Sequence, residues 1–324
     1  MIVEINPDIL NKPEEFLNLK YLLNLCFYKR RYDVFIDIML AKSTTSYGKL
    51  DKDEQLLLDE LFNRYIQEGL TSTLIVGSDY TLDEAIRYLN QPFLIVLENG
   101  FNDGYFVDSL LKNFRGNGKK IRKWKENGWV KYGMGGGCSN IINFIKNETQ
   151  TYCNLPKDKF QYLRCFVLVD SDKKYPEDTL ENKTVLIKYL KDHNIPYTIL
   201  EKREIENYLP VEAFPHTTEN ANFIKAYNRL TPQQQDYIDI EKGFNRTKFD
   251  RLPIFIQQFY SNLSDPDKQL FRDHELVLDG NFKAEFPKLF LSEKVTRDTL
   301  MAKCSHQSNP NELPHLLEKI SNLL

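Results

Sequence analysis

Phe166-Val167-Leu168-Val169-Asp170-Ser171-Asp172 runs four apolar residues straight into two carboxylates one residue apart. A short aliphatic run bounded by polar residues reads as a strand buried on both faces, the kind found in parallel sheets. Two other stretches repeat the pattern. Phe93-Leu94-Ile95-Val96-Leu97 closes on Glu98, and Tyr197-Thr198-Ile199-Leu200 is followed by Glu204 and Glu206. Ligands of open parallel sheets bind outside the carboxyl ends of the strands. Acids from three such ends would meet at one rim, where crowded carboxylates resist joint ionisation unless a cation binds them. The expectation is an α/β fold with a magnesium site.

Working outward from these runs, residues 92–212 alternate strand and helix patterns. Strand 93–97 precedes a helix over 103–113, in which Phe106, Val107, Leu110 and Leu111 share one face. Trp129-Val130-Lys131-Tyr132 reads as a short strand, then a helix begins at Ser139 or Asn140, and another spans about Asp178 to His193. Such alternation implies right-handed crossovers and a mainly parallel sheet flanked by helices. Residues 1–91 read as mostly helical, over Glu14–Tyr28 and Asp53–Gln67, with a strand candidate at Thr73–Val76 and a capping box at Thr81-Leu82-Asp83-Glu84. Residues 213–324 lose the alternation and read as a helical C-terminal region.

Bulk composition narrows the classes. The chain has 324 residues, 41% of them hydrophobic and 27% charged, which suits packed cores and excludes disorder. A net charge of −3 neither requires nor forbids a nucleic-acid partner, because a local basic patch decides that. The five cysteines are scattered and contain no C-x-x-C pair, which argues against a structural zinc or a disulfide framework and suits a reducing compartment. No stretch approaches the ~20 apolar residues of a membrane span, and Met1–Asn11 lacks a signal-peptide pattern. A soluble cytoplasmic protein is expected.

Each candidate also has a plain alternative. Glu98 alone could cap a turn. Asp170 and Asp172 project to one side of an extended strand end as a ligand pair for a hard cation, or they belong to a solvated turn. Asp103, in Glu98-Asn99-Gly100-Phe101-Asn102-Asp103, is either a bridging ligand or an ordinary acid in the first turn of a helix. In Glu201-Lys202-Arg203-Glu204-Ile205-Glu206-Asn207-Tyr208-Leu209, the apolar members anchor the segment; Glu206 is the better ligand and Glu204 its support. Gly135-Gly136-Gly137 either offers backbone N–H groups to a phosphate or serves a tight turn. Lys119–Lys125, with Trp124 inside, is a nucleic-acid patch or a solvated helix face. The histidines His193, His216, His274, His306 and His315 show no ligand or triad spacing, and they and Cys138 read as structural.

The ordered set Glu98, Asp170-x-Asp172 and Glu206 in Glu206-Asn207-Tyr208-Leu209 resembles the Toprim domain of topoisomerases, primases, maturation ribonucleases and OLD-family nucleases. The Lys-Arg-Glu-x-Glu-Asn-Tyr segment is most similar to OLD-type and stand-alone Toprim nucleases of bacterial antiviral systems. The resemblance covers 92–212 and implies a Toprim-like sheet around Mg²⁺ or Mn²⁺, two ions in all. It makes Glu98, Asp170, Asp172 and Glu206 catalytic, with Asp103 and Glu204 as further metal ligands. Lys202, Arg203 or Lys173 would neutralise the scissile phosphate. Two departures stand out: Asn99 precedes the glycine that usually follows the glutamate, and no Walker motif is present. An ATPase or sensor would then be a separate subunit. The implied function is phosphodiester hydrolysis of DNA or RNA by a defence effector, in which oligomers are compatible. The rivals are a catalytically inactive Toprim-like module docking on that ATPase, and a phosphatase acting on a small substrate.

Overall fold

The computed structural model describes every residue except Leu180, His274 and Glu275, so the histidine reading at His274 lies outside the described residues. The chain forms an α/β structure with two all-parallel sheets. It divides into two compact units, Met1–Pro92 with Asn322–Leu324, and Phe93–Ser321.

The first unit is mostly helical, and to the strand candidate near Thr73–Val76 it adds two strands that the sequence reading did not contain. It contains a sheet of order β2-β1-β3, from β1 (Ile2–Ile5), β2 (Asp33–Phe35) and β3 (Leu74–Val76). Strands of three or four residues are too short to show a hydrophobic period, which is why β1 and β2 escape a reading by pattern. The helices Phe16–Phe27 and Lys52–Glu68 and the capping box at Thr81 are present, the last with both reciprocal hydrogen bonds between Thr81 and Glu84.

The second unit is built on β4 (Phe93–Leu97), β5 (Val130–Met134), β6 (Cys165–Val169) and β7 (Tyr197–Ile199), in the order β5-β4-β6-β7. Ile95, Val96, Leu97, Val167 and Leu168 are wholly buried, as expected of strands covered on both faces. One face packs Val96, Val167 and Val169 against Ile141 and Ile145 of helix Cys138–Gln150 and against Leu186 and Leu190 of helix Thr184–Asp192. Phe106, on helix Asn102–Asn113, packs instead against Tyr208 and Phe290.

Register aligns the strand ends. Leu97 pairs with Met134 and with Leu168, and Val169 pairs with Ile199, so the residues that follow β4, β6 and β7 leave the sheet at one rim. Backbone pairing continues past that rim: Ser171 N donates to the Lys202 carbonyl at 3.3 Å and Asp172 N to that of Arg203 at 2.8 Å. The loops carrying the acids are thereby stitched together. The segment after residue 212 is composed of short helices, such as Pro232–Tyr237 and Arg297–Cys304, and as far as Ser321 belongs to the same unit as the sheet. Among the described residues no helix is long and apolar enough to cross a membrane.

Candidate functional site

At the carboxyl rim of the second sheet lies a cleft of about 220 Å³ lined by eight carboxylates: Glu98, Asp103, Asp170, Asp172, Glu204, Glu206, Asp239 and Glu241. Glu98 follows β4 directly. Its backbone carbonyl accepts from Gly136 N at 2.7 Å and Gly137 N at 3.3 Å, while the Leu97 carbonyl accepts from Gly135 N at 2.8 Å. The glycine run is therefore a clasp for the end of β4, and its N–H groups are not offered to a phosphate. Gly135 has to be glycine on steric grounds, since a Cβ there would stand 2.2 Å from Ile141 Cγ1 and 2.9 Å from the Leu97 carbonyl. Asp103 accepts from Asn99 N at 2.8 Å and closes the turn after Glu98.

The acids gather about two cations of the chain itself. Lys183, fully buried, places its Nζ against Glu98 Oε1, 3.0 Å from Asp170 Oδ1 and 2.8 Å from Asp172 Oδ2. Arg203 donates to Asp239 at 2.8 Å and to Glu204 at 3.3 Å. Cys138 Sγ lies 3.4 Å from Glu98 Oε1, and donor atoms of Glu98, Cys138 and Asp172 all fall within 4.8 Å of one another.

The remaining basic residues named from sequence sit elsewhere or act otherwise. Lys202 is not in the cleft: its fully buried Nζ donates to Asp236 and, at 2.8 Å, to the Lys303 carbonyl. Lys202 turns inward in the bend after β7, whereas the next residue, Arg203, turns toward Glu204 and Asp239, and this withdraws Lys202 from any phosphate role. Lys173 donates to the Pro176 carbonyl at 3.1 Å. Trp124 is buried edge-on against Trp129, so the basic run on helix Asn117–Glu126 presents no base-stacking indole.

Several residues of the cleft region escaped the sequence reading: Asp239, Glu241, Lys242 and Lys283 line it, and Lys183 pairs with its acids. Asp239 and Glu241 alternate with the buried Ile238 and Ile240, the same i, i+2 signal that marks Asp170 and Asp172, but they fall in the stretch after 213 that reads as helical. The helix in fact stops at Tyr237. Lys183 carries no sequence signal, being one lysine among several in an amphipathic stretch.

No family model, curated protein or solved structure matches the chain. The site is therefore argued on its own geometry.

Crowding shows in the acids' affinity for protons. Burial pushes Glu204 and Glu206 up to about 7 and Asp103 to about 6; Arg203 opposes it at Glu204 and backbone N–H groups oppose it at the other two, while neighbouring carboxylates add a smaller push. Burial holds Asp170 well above the usual carboxylate range although Lys183 opposes it. For Lys183, burial disfavours the charge, but Asp170 and Glu98 outweigh that and hold it above the ordinary lysine value. Burial lifts the Cys138 thiol to about 11. A set of carboxylate oxygens that keeps a buried ammonium charged fits a hard divalent cation, which takes oxygen ligands. Glu98 and Asp172, with Cys138 within 4.8 Å of both and Asp170 sharing Lys183 with them, could hold one such ion, and Glu204, Glu206 and Asp239 line the same cleft as further carboxylate donors.

A pH test follows with a definite sign. Glu204, Glu206 and Asp103 have folded values raised above their ordinary ones of ~4, so the stability they contribute is complete below about pH 4 and lost as pH rises through 6 to 7. In EDTA, thermal melting should show this loss between pH 5 and pH 8, and Glu206→Gln should lessen it. Added Mn²⁺ competes with the same protons, so its stabilisation should be larger at pH 8 than at pH 5. Equal Mn²⁺ stabilisation at both pH values would oppose this picture.

Proposed function

We propose that the chain is a divalent-metal-dependent nuclease, hydrolysing phosphodiester bonds of DNA or RNA. One observation carries the reading: eight carboxylates from separate segments share a cleft at the carboxyl rim of a parallel sheet. The likeness of Glu98, Asp170-x-Asp172 and Glu206 to the Toprim pattern supports it. It also supplies the wider proposal of a cytoplasmic antiviral effector under a separate ATPase or sensor subunit.

Divalent ions bound here would stabilise negative charge on the attacking and leaving oxygens of a phosphodiester. Glu98, Asp170 and Asp172, at the aligned ends of β4 and β6, would hold one ion, and Glu204, Glu206 and Asp239 would supply carboxylates for another. The protons that burial favours on Glu204, Glu206 and Asp103 leave when the site fills. Lys183 keeps three carboxylates turned inward. Lys242 and Lys283, which line the same cleft, would supply the phosphate-neutralising charge expected from sequence of Lys202, Arg203 or Lys173.

A second reading draws on Lys183 itself. Three of the acids already share the chain's own ammonium in the place a cation would take, as they would in a Toprim-like module that has lost catalysis and only docks on an ATPase. Incubation of the purified protein with single- and double-stranded DNA, RNA, tRNA and nucleotides, in Mg²⁺, Mn²⁺ or EDTA, separates the two. Metal-dependent cleavage of a polymer is the expected result. Cleavage of nucleotides alone would point to a phosphatase, and no cleavage in any metal would favour the docking module.

A further inference from the structure

Asp239 and Lys242 of the acidic cleft also line a second cavity, of about 380 Å³. Its charged lining has the opposite sign to the cleft's. Lys174, Arg203 and Lys242 stand against a single acid, Asp239, so three cations and one carboxylate leave two positive charges in excess. Arg203 and Asp239 satisfy each other at 2.8 Å, and Arg203 also donates to Glu204 at 3.3 Å. The excess therefore lies with the two lysines. Lys242 meets its chain neighbour Glu241 at 3.8 Å, in a part-exposed pair that water screens. Lys174 is exposed and forms no ion pair with a described residue.

The rest of the wall is apolar or uncharged. Tyr237 ends helix Pro232–Tyr237, Leu252 and Ile256 flank the start of helix Ile254–Phe259, and Phe244 lies in the loop that joins the two. Asn245 and Thr247, from the same loop, add an amide and a hydroxyl. A cavity above ~300 Å³ with an apolar wall and a few polar groups has the form of a small-ligand site. Lysine, asparagine and threonine side chains are among those that contact phosphate in nucleic-acid complexes. The excess positive charge disfavours a metal ion here, whereas an anion with a less polar body suits both parts of the lining.

We infer that this cavity binds a phosphate ester, and that it holds the phosphate next along the strand from the one attacked in the acidic cleft. The strand assignment rests on the nuclease reading; the anion site stands on its own lining. Lys242, on the wall common to both spaces, would lie between the two phosphates. The substrate accordingly carries a phosphate beyond the scissile one, and a lone diester is a poor substitute for a strand.

Phosphorus-31 NMR of the full-length protein in EDTA reads phosphate contact with neither metal nor cleavage. Inorganic phosphate and uridine 5′-monophosphate are the probes. Both should bind, and Lys174→Gln should weaken each by on the order of threefold or more, as for loss of one lysine–phosphate contact. Lys173→Gln removes the same charge from a residue that lines a different cavity, and should have no such effect. Ile256→Trp, which fills the space, should weaken uridine 5′-monophosphate more than inorganic phosphate. In Mn²⁺, Lys174→Gln should raise KM for an unstructured RNA or DNA oligonucleotide about threefold or more. It should raise KM less for bis(4-nitrophenyl) phosphate, a diester with no second phosphate. Binding of neither probe by wild type, or equal weakening by Lys174→Gln and Lys173→Gln, would overturn the anion site. Cleavage with an oligonucleotide KM unmoved by Lys174→Gln would overturn the strand assignment. Phosphate binding without cleavage in any metal would keep the anion site, assign it to a free nucleotide and reject the nuclease reading.

Discussion

Asp170→Asn should leave the chain folded and lower metal-dependent cleavage by roughly a thousandfold. The side chain sits at the end of β6, and its Oδ1 accepts Lys183 Nζ at 3.0 Å. An asparagine oxygen can keep that hydrogen bond, so the packing of β6 has no reason to change. What disappears is one negative charge at the position best placed to hold a divalent ion. Loss of metal-borne charge stabilisation of ~4 kcal/mol corresponds to about three powers of ten in rate. Glu98→Gln should behave similarly, since Glu98 closes β4 beside the same ammonium. Cleavage rates under excess Mg²⁺ and Mn²⁺, with melting curves for each variant, provide the check. Full activity in a folded Asp170→Asn protein would remove the mechanism.

The second large effect concerns stability. Lys183→Met should destabilise the metal-free protein by ~3–5 kcal/mol, the usual cost of stranding buried charges without their partner. Lys183 is wholly buried, and it is the common partner of Glu98, Asp170 and Asp172; of these, the half-exposed Asp172 contributes least, because water screens it. For a unit of this size the loss amounts to roughly 10 °C in melting temperature. Mn²⁺ should restore part of it, since a ligand at a hundred times its dissociation constant returns ~2.7 kcal/mol. A Lys183→Met protein that melts with wild type in EDTA would show that the ammonium is not what keeps these acids together.

The legible part of the fold was the part with long enough runs. β4 and β6 are each runs of five apolar residues, all buried in β6 and all but Leu94 in β4, so both the strands and the acids at their ends could be read directly. β1 and β2 could not, because Ile2–Ile5 and Asp33–Phe35 are too brief to separate from loops. Within the site, residues that leave a strand end are visible one chain segment at a time. Lys183 is different in kind: it joins Glu98 across 85 positions and Asp170 across 13, and only the folded sheet brings them together. Asp239 and Glu241 were legible in principle from their alternation with Ile238 and Ile240, but a helix-forming run of glutamines, Gln233-Gln234-Gln235, masked the change of period. Lys202 shows the converse. Its neighbours Arg203 and Glu204 reach the cleft region, and sequence adjacency alone placed it there; its burial against Asp236 takes it away. His306 likewise had no spacing to mark it, because its partner Asp236 is 70 residues distant.

Titration of the purified protein with Mn²⁺, following the free-ion signal by electron paramagnetic resonance at pH 8, addresses the acidic cleft without requiring a substrate. Depletion of the free signal by wild type, weakened at least about tenfold in both Asp170→Asn and Glu98→Gln, is the predicted result for carboxylates that jointly hold the ion. An undiminished Mn²⁺ signal with wild type, or depletion by both variants equal to that by wild type, would contradict it.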